Sequence, residues 1–311
     1  MTQRAIRAWL RLIIVGGVLA MSSMASAAPR VLVITHALAG PHAETLDALR
    51  HALAKSLPAA EIDIRLASDP GPQPAPSASI IVTIGSEAAA IVAASAAPSD
   101  TPILHTLLPA SAVPPTATGG ARTTAIVLDQ PATRLVSLLR LALPQARTVA
   151  LIAGPDNTLA VERVKVAAHD AGLEVRQSYI DNSDALFPAL QQVLVKPAVL
   201  IAIPDSVVFN RYTVQNILLT TFRRRSPVLG FSAAYVKAGA LLGLYSTPTQ
   251  VGEDAADAVL ELVANRPWPA ISAPQRFEVG VNNTIARALG LELPSAQSLT
   301  QALRRTEGLA P

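Results

Sequence analysis

Several apolar runs in this chain end on a small polar group. Thr35 closes RVLVIT and His36 follows it, Gly85-Ser86-Glu87 follows SIIVTI, and His105-Thr106 closes a short run after Pro102. Further along, Asp156-Asn157 lies just after RTVALIA, Asp205-Ser206 after VLIAI, and Phe231-Ser232 after PVLG. Ser, Thr, Asn and Asp accept hydrogen bonds from the free N–H groups that open a helix, so capping alone accounts for any one of these positions. As a set they allow more. Helix N-termini that face each other across a gap attract a small anion such as a carboxylate. Asp205 would then meet the ammonium group of an amino acid. The expected chemistry is reversible binding of a small zwitterion, on condition that two lobes close over it.

Motifs for covalent chemistry are thin. There is no G-x-G-x-x-G loop, Walker A sequence, G-x-S-x-G elbow or H-E-x-x-H pair. His36 and His42 are separated by Gly40-Pro41, so one helix does not bring them together as a metal pair. The chain has no Cys, which removes disulfides, thiol catalysis and thiolate zinc. A triad of His105 with a distant Ser and Asp stays open as an exported-hydrolase reading. The expectation is a protein that is not an enzyme and uses no cofactor or metal.

The elements that must position these residues alternate strand with helix. Arg30–Thr35, Glu61–Leu66, Ser79–Ile84 and Pro102–Thr106 read as strands, with helices from Pro41 to Leu57 and from Ser86. The alternation restarts with strands at Ala125–Leu128, Arg147–Ala153, Leu173–Ile180, Ala198–Ile203 and Pro227–Gly230. Helices are expected over Ala132–Leu143, Thr158–Ala171, Ala185–Val195, Val207–Phe222 and Gly252–Ala264. Near-continuous apolar strands between helices indicate parallel sheets covered on both faces. Two such sets predict two α/β lobes, residues 28–122 with part of 247–270, and residues 123–246 with part of 271–311. One extended doubly wound sheet is the alternative. Pro70–Pro76 and Pro109–Pro115 read as surface loops.

Arg4, Arg7 and Arg11, then LIIVGGVLA, then Ala25-Ser26-Ala27 make a secretory signal over residues 1–27. The apolar run is well short of the roughly 20 residues a spanning helix needs. Without Cys there is no site for a lipid anchor, so the expected location is a bacterial periplasm. Beyond residue 27 the chain carries 22 basic and 22 acidic residues. That balance gives no basic stripe for nucleic acid, and no later segment is expected to insert in a membrane. Arg223-Arg224-Arg225, the one dense basic spot, reads as a solvated helix end.

Taken in order, IVTIGSEAAA, Leu139–Asn157, Pro204-Asp205, PVLGFSAAYVKAGA and EVGVNNTIARALGLELP resemble the ABC transporter substrate-binding family that includes tryptophan and phenylalanine binders. The resemblance implies a type I periplasmic-binding-protein fold, two Rossmann-like lobes joined by three crossovers. It implies that Ser86 and its neighbours hold ligand from one lobe, and Asn157, Asp205 and Ser232 from the other. Hinges are expected at Ala121–Leu128 and Gly243–Thr247, with Phe231, Tyr235 and Tyr245 as candidate cleft rings. The implied partner is an inner-membrane ABC permease; an envelope sensor or receptor is the alternative. The chain departs from the family pattern at THALAGPHAE and in the Pro-rich loop after His105.

Overall fold

The computed structural model describes residues 28–69, 78–95, 101–115 and 123–308. The expected signal, the Pro70–Pro76 loop and part of the Ala121–Leu128 hinge lie outside the described residues.

Strands β1 (Arg30–Thr35), β2 (Glu61–Leu66), β3 (Ile80–Ile84), β4 (Ile103–Leu108), β5 (Thr123–Val127) and a later β11 (Ile271–Ser272) form one parallel sheet in the order 11-5-4-3-1-2. Strands β6 (Thr148–Ala153), β7 (Glu174–Tyr179), β8 (Val199–Ile201), β9 (Val228–Gly230), β10 (Leu242–Tyr245) and β12 (Glu278–Val281) form the second, in the order 12-10-9-8-6-7. Only β12 runs antiparallel to its neighbour. The lobes thus repeat one winding, with the reversal of strand order beside the first strand of each.

The pleat assigns each strand residue to a face. Val31 and Val33 bury against α1 (Gly40–Ser56) and α8 (Pro248–Val263) through Leu46, Leu49, Leu53, Val259 and Leu262. Leu32 and Ile34 bury on the other side against Ala88 and Val92 of α2 (Ser86–Ala94). In the second lobe Val149 and Leu151 face α3 (Ala132–Ala142), α4 (Thr158–Asp170), α9 (Asn283–Leu289) and α10 (Ala296–Thr306). Ala150 and Ile152 face α5 (Leu186–Val193), α6 (Val214–Arg223) and α7 (Ala233–Ala238). Burying both faces is why these strands read as unbroken apolar runs.

Three expectations need correction. β5, predicted to open the second lobe, is hydrogen-bonded to β4 and belongs to the first sheet, as does β11. The helix predicted from Val207 starts at Val214, because Asp205, Asn210 and Thr213 side chains hold residues 207–213 in turns. The helix predicted from Gly252 starts at Pro248, where Thr247 and Gln250 form a reciprocal capping box.

The chain passes between lobes after β5, after β10 and between β11 and β12. One buried network ties these crossovers together. Gln130 Nε2 donates to Ser246 Oγ at 3.1 Å, and that hydroxyl donates to the Arg276 carbonyl at 2.5 Å. Arg134 donates to Gln130 Oε1 at 2.7 Å and to the Pro274 carbonyl at 3.0 Å, and pairs with Glu307 through two bonds of 2.7 Å. Its guanidinium carbon sits 4.1 Å from the centroid of the Phe277 ring. Arg276 in turn ion-pairs with Glu253, Asp254 and Asp257 on α8, anchoring the third crossover to the first lobe.

Candidate functional site

In open α/β sheets the crevice lies beyond the carboxyl ends of the strands. Here a cleft of about 780 Å³ spans the two lobes at that end. The first lobe contributes Pro41, Ser86, Leu107, Pro109 and Ser111; the second contributes residues 154–157, 204–207, Phe209 and 231–234; Leu128 and residues 245–248 of the crossovers complete it.

Six of the sequence-predicted residues other than Ser86 meet there: Asp156, Asn157, Asp205, Ser206, Phe231 and Ser232. Asp205 is buried and its carboxylate is fully occupied. Oδ2 accepts from Gly154 N at 2.7 Å and Asn157 Nδ2 at 2.8 Å; Oδ1 accepts from Val207 N at 2.9 Å and Val208 N at 3.0 Å. Four donors are what a carboxylate can accept. Asp205 therefore clamps the loop after β8 to the loop after β6. Asp156, by contrast, is exposed at the cleft wall. Ser232 caps α7, its Oγ accepting from Tyr235 N at 3.3 Å.

The first-lobe expectations fare differently. Ser86 lines the cleft, but its neighbours do not. Gly85 takes φ +95°, which favours glycine, and a Cβ there would lie 2.6 Å from His42 Nε2 and turn that ring aside. Glu87 Oε2 meets His36 Nδ1 at 2.8 Å on the surface. Thr35 is buried and donates to the Ala37 carbonyl at 3.1 Å. His105 and Thr106 are buried inside the sheet, because β4 continues to Leu108 through an irregularity in its pairing with β5. The cleft edge falls instead on Leu107, held at φ +56°, and on Pro109 and Ser111.

Aromatic side chains make the second-lobe floor. Phe231 packs against Tyr235 with the rings tilted by 42° and 4.7 Å between centroids, and meets Phe209 edge-on at 6.1 Å. Phe209 and Tyr245 reach the cleft, whereas Tyr235 is buried and its unpartnered hydroxyl is pushed up to about 12 by burial. Sequence reasoning had marked Tyr245 but missed Phe209, which reads as an ordinary helix residue. No Lys, Arg or His lines the cleft among the described residues, and no cluster of metal-ligating side chains occurs among them.

His105 bonds Thr83 Oγ1 through Nδ1 at 2.7 Å, and burial lowers its pKa from 6.5 to about 4. The unfolded chain takes up a proton here below pH 6.5 while the folded chain does not until about pH 4. This contribution is complete above pH 6.5 and is lost as pH falls toward 4. Its full size is about 3 kcal/mol. Denaturant unfolding at pH 7 and pH 4.5 should show a smaller acid loss in His105→Gln than in the parent. Equal losses would remove His105 as the cause.

The fold and family can be compared with known proteins. A conserved domain protein from Vibrio cholerae superposes with a TM-score of 0.60 at 21% identity, covering 88% of this chain and 98% of that one. An ABC domain from Streptococcus pneumoniae in complex with L-Trp gives 0.60 at 18%, covering 88% and 97%. A substrate binding protein with adhesive properties from Clostridium difficile, in its ligand-free open form, gives 0.64 at 19%, covering 86% and 96%. These likenesses establish the type I periplasmic-binding-protein fold. No curated protein sequence matches, and no described helix is long and apolar enough to cross a membrane. The model of one family, described as ABC transporter substrate binding protein, matches residues 75–301, from before β3 into α10 and through every cleft-lining segment except the start of α1. The chain belongs to the ABC transporter substrate-binding protein family.

Proposed function

We propose that this chain is exported through its signal, works unlipidated in the periplasm, and holds a small polar ligand for delivery to an inner-membrane ABC permease. The best ligand class is an amino acid or a similar zwitterion with an apolar side chain. The observation that carries this reading is a cleft whose two walls come from different lobes and whose chemistry is divided. Phe231, Phe209 and Tyr245 offer an apolar floor, and exposed Asp156 offers a site for an ammonium group. With no cation on the wall, a ligand carboxylate would rely on the N–H groups opening α2 at Ser86 and on the hydroxyls of Ser86, Ser111 and Ser206. The Streptococcus pneumoniae neighbour was solved with L-Trp, an amino acid with an apolar ring. Catalysis finds little support, since His105, the base of the hydrolase reading, is buried against Thr83. Closure would be a hinge motion about the tied crossovers.

A thermal-shift screen against amino acids, short peptides, purines and sugars tests the proposal. A ligand at a hundred times its Kd stabilises the folded state by about 2.7 kcal/mol, or roughly 5–10 °C in a chain of this size. Phe231→Ala should then weaken the winning ligand about tenfold or more. Sugars winning over amino acids would overturn the ligand class. Silence from every class, in a well-folded sample free of co-purified ligand, would shift the reading to a module that contacts an envelope sensor or receptor.

A further inference from the structure

The strands that point into the cleft at one end frame a second concavity at the other. It is a groove of about 520 Å³ at the amino ends of β6, β8 and β9 and the carboxyl end of α9. β6 alone separates the two sites by about 20 Å. The groove walls are apolar, with Leu143, Val199, Leu289 and Leu291 among them, and Pro144, Pro197 and Pro227 stiffen the rim. Its charged side chains are Arg147, Arg225 and Glu292, two cations to one anion. None of these three takes part in an ion pair of the described residues. Lys196 joins Arg147 and Arg225 at the same sheet end, and Arg223 and Arg224 adjoin it, so the surroundings are net positive.

The turns that form the groove are fixed. Ala146 N bonds the Leu143 carbonyl at 2.9 Å, and Ser226 N bonds the Thr221 carbonyl at 2.9 Å. Buried Ser226 Oγ accepts from Ala198 N at 3.2 Å, joining the starts of β8 and β9. Leu291 N bonds the Ala286 carbonyl at 2.9 Å.

Arg225 stands in a costly conformation. It follows α6 at φ +50°, the left-handed region where a helix normally ends on glycine. The caps after α4, α7 and α9 take positive φ with Gly172, Gly239 and Gly290. At α6 the chain instead holds an unpaired guanidinium in the strained slot, at the mouth of an apolar groove. Strain kept where a strain-free residue was available points to function.

We propose that this groove is a second ligand site, which takes a free amphipathic monocarboxylate. The apolar chain lies along the leucine and proline wall, and the carboxylate is held between Arg147 and Arg225. A concave, mostly apolar pocket of this size with a few convergent polar groups is the usual form of a small-molecule site. Guanidinium is the side chain best matched to a carboxylate. The proposal does not depend on the ligand of the cleft.

Isothermal titration of the purified protein with decanoate, below its micelle concentration, tests it. Saturable binding of one decanoate is expected. Decanol, which keeps the chain and lacks the charge, should bind at least about tenfold more weakly, as should decanoate to Arg147→Ala. Arg225→Gly is the decisive variant. It should lose decanoate affinity by a similar factor while its ligand-free Tm holds or rises, because the strain is relieved. No saturable binding, or decanoate affinity unchanged in both variants, would overturn the proposal. So would equal binding of decanol. Binding to phosphatidylglycerol vesicles without binding to decanoate would also overturn it, in favour of a membrane surface.

Discussion

Asp205→Ala should cost the ligand-free protein about 3–4 kcal/mol, because it strips the acceptor from four donors at once. Two loops lose their common tie: Gly154 and Asn157 after β6, and Val207 and Val208 after β8. Water from the cleft can reach part of the gap, which keeps the loss below the sum of four orphaned groups. Ligand affinity should fall as well, through misplaced loops rather than a lost contact. Asp205→Asn should lie between, since its amide keeps one oxygen acceptor and turns an N–H₂ toward donors. The alternative, a carboxylate reserved for ligand ammonium, makes the opposite forecast: affinity lost with ligand-free stability intact. Denaturant unfolding without ligand separates the two, and an Asp205→Ala protein as stable as its parent would sink the clamp.

The second large effect is expected about one helical turn behind the cleft, where α8 packs on α1. Gly252 lies where α8 crosses α1, and a Cβ there would fall 2.4 Å from the Thr45 carbonyl oxygen, 2.7 Å from Ala48 Cβ and 2.9 Å from Leu49 N. Two of those neighbours are backbone atoms of a helix, which cannot swing aside as a side-chain tip can. Gly252→Ala must therefore part the helices, and it opens the core cluster of Leu46, Leu49, Val259 and Leu262. Overpacking of this kind costs about 3 kcal/mol, or roughly 6–12 °C in Tm. Gly290→Ala supplies the contrast, since its φ is +71° with nothing within 4 Å of the added methyl. Conformational strain alone should cost about 1 kcal/mol there. If Gly252→Ala proves as mild as Gly290→Ala, the helices are not in the close contact described.

Much of this architecture was legible because each strand is apolar on both faces and each is followed by a helix-length run. The second-lobe half of the cleft was legible for the same reason. Asp156, Asn157, Asp205 and Phe231 stand just past strands whose ends the sequence marks with Gly or Pro. The first-lobe half was not. His105 and Thr106 resemble a strand end, yet the apolar Leu107-Leu108 continues the strand, and only pairing with β5 shows where it stops. The sheet to which β5 belongs was equally hidden, since strand order depends on partners far away in sequence. Asp205 shows a deeper limit. A carboxylate after an apolar strand looks the same whether it awaits a ligand or already holds four N–H groups.

The packing of α8 on α1 also sets an order of events during synthesis. Thr45 donates to the Pro248 carbonyl across 203 residues of sequence, and the core cluster of Leu46, Leu49 and Leu53 with Val31 and Val33 is complete only when Val259 and Leu262 join it. Ribosomes add about 5–20 residues per second. The first lobe's apolar face thus waits on the order of 10–40 s for the helix that covers it. The lobe that is begun first is completed only after the five parallel strands of the second have been made.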